Sequence, residues 1–179
     1  MTNQNIIRLL SGLTFLIFFC PFFQMCSDSS HLKKTLAEQP KTQTEIIREK
    51  ERQEKELREF KKAWTYSGYK MATYIFEPKA LKKITPEDLL DSTFYTFLSF
   101  TLTLIISIFI FIQSLRKKFT AVYKPALLNL LFAVIPIAIF LIDGVLEELS
   151  QIKFGYYLFI INTIALIIFS REIRSKNAV

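Results

Sequence analysis

Four stretches of this chain are dominated by apolar side chains and contain no acidic residue: Ile6 to Phe23, Phe94 to Ile112, Ala126 to Ile142 and Phe154 to Phe169. A chain crosses the hydrocarbon core of a bilayer as a helix of roughly 17 to 25 such residues, because intrahelical bonding satisfies every backbone group where there is no water. The second block is comfortably long. The third and fourth are at the short end, which suits a thin bilayer or little tilt. The blocks predict an all-α integral membrane protein with four transmembrane helices and a charged helical loop between the first and second. With 51% hydrophobic residues and a mean hydropathy of +0.29 over 179 residues, the composition is not that of an ordinary soluble domain.

The net charge of +7 raises the question of nucleic acid. The basic residues, however, either flank the apolar blocks or alternate with acids, so they read as topology signals and no nucleic-acid partner is expected. Short loops rich in Lys and Arg stay in the cytoplasm. The turn after the second block carries Arg116, Lys117, Lys118 and Lys124 without an acid, and the tail carries Arg171, Arg174 and Lys176 against Glu172. Arg8 lies at the start of the first block, whereas the turn after the third holds Asp143, Glu147 and Glu148 against Lys153. The expected orientation has both termini in the cytoplasm and the protein in the inner (plasma) membrane. The 14 basic and 12 acidic residues between Ser27 and Ser92 do not oppose this, since long loops are translocated largely regardless of charge. Three regions follow: an N-terminal membrane anchor (1–26), an extracytoplasmic loop (27–92) and a three-helix transmembrane region with a cytoplasmic tail (93–179).

An apolar run at the N-terminus also resembles a secretory signal. With Arg8 as the one basic residue at its start, a bulky Phe15 to Phe23 segment and Pro21 near its end, retention as an anchor is the preferred reading. Lipoprotein processing at Cys26 is disfavoured because Phe23, Gln24 and Met25 lack the small residue it needs. Cys20 and Cys26 could form a local disulfide in an oxidising compartment, although Cys20 reads better as a small apolar helix residue.

In the loop, Thr44 to Trp64 has no Gly or Pro and is dense in helix formers. Opposite charges at helical spacing (Lys50 with Glu54, Glu51 with Lys55, Arg52 with Glu56, Glu54 with Arg58) favour an exposed helix. The absence of apolar residues from Arg48 to Glu56 argues against burial or a sustained coiled coil. At its end Leu57, Phe60 and Trp64 form one apolar face that needs a cover: first a small local core with Tyr66, Tyr69, Tyr74 and Phe76, otherwise a protein partner, for which the three are the candidate binding residues, or the membrane surface. Thr85-Pro86-Glu87-Asp88 has the marks of a helix start, and such a helix could run directly into the second span.

No block carries an ionisable residue near its centre, which argues against a proton- or ion-coupled carrier. Thr96, Ser99, Thr103 and Ser107 recur every three or four residues along the second span and predict a close helix-packing seam. Asn162, in the fourth span, needs a partner, and this stripe is the expected one. Pro136 is expected to bend the third span and free a carbonyl. Val145, Leu149 and Ile152 suggest a short amphipathic helix in the turn between the third and fourth spans.

Phosphate loops, CxxC pairs and nucleophile–base motifs are absent, and His31 stands alone, so no catalytic residue, cofactor or metal is expected. The abundance of Phe and Ile beside four glycines fits an AT-rich bacterial genome. The function expected is that of a non-catalytic accessory, scaffold or protective (immunity-like) protein. It would sit in the lipid bilayer and bind a protein partner, or a second copy of itself, through the loop. The alternative is a small channel or carrier for an uncharged or lipophilic solute.

Overall fold

The computed structural model describes residues 3–25, 43–76 and 91–176. The expected helix start at residues 85–88, together with His31 and Cys26, lies outside them. The described elements run α1 (Asn3–Phe19), β1 (Pro21–Gln24), α2 (Gln43–Ala63), β2 (Thr65–Ser67), α3 (Gly68–Thr73), α4 (Ser92–Leu115), α5 (Tyr123–Ile142) and α6 (Phe154–Lys176). Short 3-10 turns occupy Tyr74–Phe76, Phe119–Ala121 and Leu149–Gln151.

Among the described residues, three segments are long and apolar enough to cross a membrane: Ser92–Leu115, Phe119–Ile142 and Phe154–Lys176. At 1.5 Å per residue each covers about 35 Å, enough for a hydrocarbon core of about 30 Å. The α-helix α1 has 17 residues and covers about 26 Å. It packs as a fourth member of the bundle against α4 and α6. Its inward face is Ile7, Ser11, Thr14, Ile17 and Phe18; its outward face is Leu9, Leu13, Leu16 and Phe19, the last 68% exposed.

Local chemistry sets the element ends. α1 stops before Pro21, whose missing N–H and ring disfavour further helix and push Cys20 toward extended backbone. The chain then continues as β1, a strand absent from the all-α expectation. β1 pairs antiparallel with β2, Phe23 opposite Tyr66 and Gln24 opposite Thr65, with an irregularity between Pro21 and Phe23. On its other edge Phe23 bridges to Ile152, and Phe22 O accepts Lys153 N at 2.8 Å. The Asp91 carboxylate caps α4 by accepting from Thr93 N at 3.0 Å. Because Asp91 is itself extended (φ −78°, ψ 125°), α4 begins with its own cap at this residue.

The turn from Asp143 to Lys153 is not the amphipathic helix expected. Gly144 ends α5 in the left-handed region (φ 67°). Beyond it the Gln151 side chain holds the backbone open: its Oε1 accepts Glu147 N at 2.7 Å and Glu148 N at 2.9 Å. Its Nε2 donates to Val145 O at 2.9 Å and Gln24 O at 3.3 Å. One buried amide thus ties this turn to β1, and of the three expected apolar positions only Ile152 is buried.

Among the described residues, the buried apolar side chains form two clusters. The larger, around Phe18, Phe22, Phe23, Phe100, Phe140, Tyr156 and Phe159, lies at the end carrying Asp143 and β1, here termed the acidic end. The smaller, around Ile7, Ile110, Phe119, Val122, Ala126 and Leu166, lies at the end carrying the Arg116 to Lys124 turn, the basic end.

Candidate functional site

At the acidic end β1 serves as a wedge. Phe22 and Phe23, 0% and 1% exposed, drop between the helices: Phe22 meets Phe18, Phe100, Tyr156 and Phe159 with ring centroids 5.6 to 6.1 Å apart. Phe23 meets Phe100, Phe140 and Tyr156 at 5.9, 5.4 and 5.0 Å. The helix α3 fills the gap between α1 and α4. Tyr69 rests against Phe18 and Phe19 at 5.8 and 4.5 Å, Tyr74 stacks on Phe97 at 4.1 Å, and Thr101 Oγ1 donates to Ala72 O at 2.7 Å. Tyr69 and Tyr74 thus join the bundle instead of roofing the Leu57 face.

The charged helix α2 is mounted on this wedge through β2. Met25 N donates to Trp64 O at 3.0 Å, joining the end of α2 to the end of β1. Among the described elements α2 forms no extended packing interface. Of the expected ion pairs, Arg52–Glu56 closes at 3.4 Å and Arg58–Glu54 at 3.3 Å, both well exposed; such surface pairs add little to stability. Leu57 and Phe60 are half-buried, and Trp64, 43% exposed, lies 6.1 Å from the Phe60 ring. Of the three, Trp64 is tied to the wedge through its carbonyl, and Phe60 and Leu57 lie about one and two turns before it on α2.

The hydroxyl stripe is buried throughout: Thr96, Ser99, Thr103 and Ser107 are at most 3% exposed. Most of its hydroxyls bond back along α4, Thr96 to Ser92 O, Thr103 to Ser99 O and Ser107 to Thr103 O. Ser99 is different, donating across the seam to Phe132 O at 2.5 Å. Phe132 is four residues before Pro136, so its carbonyl is the one whose intrahelical donor the proline ring removes. The Ser99 hydroxyl supplies the missing donor. Ser99→Ala should leave that carbonyl unsatisfied in an apolar interior at a cost of about 1–3 kcal/mol, read as a lowered melting temperature in detergent. Adding Pro136→Ala, which restores the backbone donor, should recover most of the loss; equal losses in the single and double variants would refute the pairing.

Asn162 does not pair with the stripe. Its Nδ2 donates to Thr14 Oγ1 at 2.9 Å and Leu10 O at 3.1 Å, both on α1. α6 lies against α1, while α4 presents its hydroxyls to α5 and α3. The amide facing the stripe is Asn129, unremarked in the sequence, whose Nδ2 donates to Ser107 Oγ at 3.0 Å. Its signal was available, since it is an amide seven residues before Pro136 in an otherwise apolar span. A further polar contact joins Ser11 and Ser114 hydroxyls at 2.9 Å across α1 and α4. Among the described residues no group of three or more His, Cys, Asp or Glu is placed to hold a metal ion.

These features define a class: a mostly helical protein with helices long and apolar enough to cross a membrane, whose charged helix α2 is carried on an aromatic wedge driven into the end of the bundle. No protein family, curated protein or solved structure matches the chain.

Proposed function

We propose that the protein is a non-catalytic scaffold of the inner (plasma) membrane that crosses the bilayer four times and holds α2 outside the cytoplasm for a protein partner. The observation that carries this reading is the mounting of α2: its C-terminal end is bonded to β1 through Trp64 O, and β1 is immobilised by two fully buried phenylalanines. A helix displayed on so rigid a base loses little freedom when a partner docks, which favours affinity. Its base offers Leu57, Phe60 and Trp64, and large aromatics of this kind are the usual anchors of protein interfaces.

Counting α1 as a span is supported by its face of Leu9, Leu13, Leu16 and Phe19 turned away from the bundle, a surface suited to lipid. Placing both termini in the cytoplasm rests on the positive charge of the α4–α5 turn and the tail. The carrier reading is weakened because the stripe hydroxyls are engaged in bonds to helix carbonyls.

A photo-crosslinking amino acid at Phe60 or Trp64, installed in the full chain in its own membrane, should yield one discrete protein adduct. The same group at Leu131, which is 58% exposed on the apolar flank, should yield lipid adducts alone. Identical patterns from both positions would overturn the partner reading.

A further inference from the structure

We propose that the basic end of the bundle is a headgroup site for an anionic phospholipid. The turn joining α4 to α5 closes α4 by a Schellman pattern: Lys118 N donates to Gln113 O at 3.0 Å and Lys117 N to Ser114 O at 3.2 Å. This motif places the residue after the cap in the left-handed region, where glycine is usual because it lacks a Cβ. Here that residue is Lys117, at φ 59°, the single non-glycine residue with positive φ among those described. The turn keeps a cation where glycine would relax the backbone, and such retained strain points to a use for the side chain.

The surroundings indicate what that use is. Arg116, Lys117, Lys118 and Lys124 are all exposed. Two arginines brace the turn from either side, Arg8 with its guanidinium 5.4 Å from the Phe119 ring centroid and Arg174 with its own 5.5 Å from that of Tyr123. The only acid among the described residues at this end, Glu172, is already held by Lys176 at 2.8 Å. Directly beside the cations Ile112 and Leu115 on α4 and Leu127 on α5 are 40%, 56% and 42% exposed, an apolar flank for acyl chains. Cations above an apolar flank match a phosphate joined to hydrocarbon better than a free phosphate. Each cation near an anionic surface strengthens attachment by about fivefold.

The inference rests on the bilayer placement proposed above and not on the partner reading; a chain that stays dispersed without detergent would refute the placement itself. The test is thermal unfolding of the full chain in a neutral detergent, titrated with phosphatidylglycerol, phosphatidylcholine or inorganic phosphate. Phosphatidylglycerol should raise the melting temperature saturably by about 2–4 °C, and the other two should not. Lys117→Gly should melt higher than the native chain without lipid, because the strain is relieved, yet gain less than half as much from phosphatidylglycerol. Lys117→Gln should melt as the native chain does without lipid and show the same reduced gain. Lys62→Gln, on α2, should keep the full gain. The proposal is overturned by any of three results: no gain in the native chain, an equal gain in the Lys117 variants, or a gain that inorganic phosphate reproduces.

Discussion

Gly155→Ala should destabilise the protein by about 3 kcal/mol or more, the upper part of the range for overpacking a filled interior. A Cβ at Gly155 would lie 2.5 Å from Pro21 O, 2.7 Å from Cys20 Cβ and 3.0 Å from Phe22 Cδ1. The first of these is backbone, so relief requires moving β1 itself. That movement would also disturb the bonds from Lys153 N to Phe22 O and from Met25 N to Trp64 O, loosening the base of α2. Gly144→Ala provides the comparison. Nothing lies within 4 Å of a Cβ there, so its cost is the left-handed backbone alone, about 1–2 kcal/mol. Melting of both variants in the same detergent should rank Gly155→Ala well below Gly144→Ala; similar melting would mean that α6 does not approach β1 so closely.

Phe22→Ala should cost about 3 kcal/mol, the low end of the range for truncating a buried phenylalanine. The low end applies because helices surrounded by lipid gain little from removing apolar surface from water, so the loss is mainly van der Waals contact with Phe18, Phe100, Tyr156 and Phe159. Phe19→Ala, three positions away and 68% exposed, should change the melting temperature by far less. If the two variants melt alike, Phe22 is not the wedge. Because α2 is carried on β1, Phe22→Ala should also broaden or abolish the Trp64 photo-adduct, tying bundle packing to partner capture.

The spans were legible because their signal is one of composition over about 20 residues, which no tertiary contact has to complete. Their ends were less so. α6 continues to Lys176, beyond the apolar block ending at Phe169, because charged residues can extend a helix once it has left the apolar region. α1 ends at Phe19 instead of Phe23, a stop that Pro21 announces. The spacing of Ser99, Thr103 and Ser107 marks one face of α4, whereas the Ser99 to Phe132 bond required knowing which helix lies opposite. Pro136 announced the freed carbonyl, but its partner is 33 residues earlier.

By itself the sequence determined that the second, third and fourth apolar blocks can span, where charge collects at their ends and that most of Thr44 to Trp64 is helical, because these depend on local composition and spacing. Only the tertiary structure decided the rest. It paired β1 with β2, buried Phe22 and Phe23 while leaving Phe19 exposed, and gave Asn162 to Thr14, 148 residues away. Inside an apolar bundle a polar group must find a partner on whichever helix lies beside it, and a side chain must fill whatever gap the helices leave. Helix adjacency sets both, and it is a property of the assembled bundle that no single segment encodes.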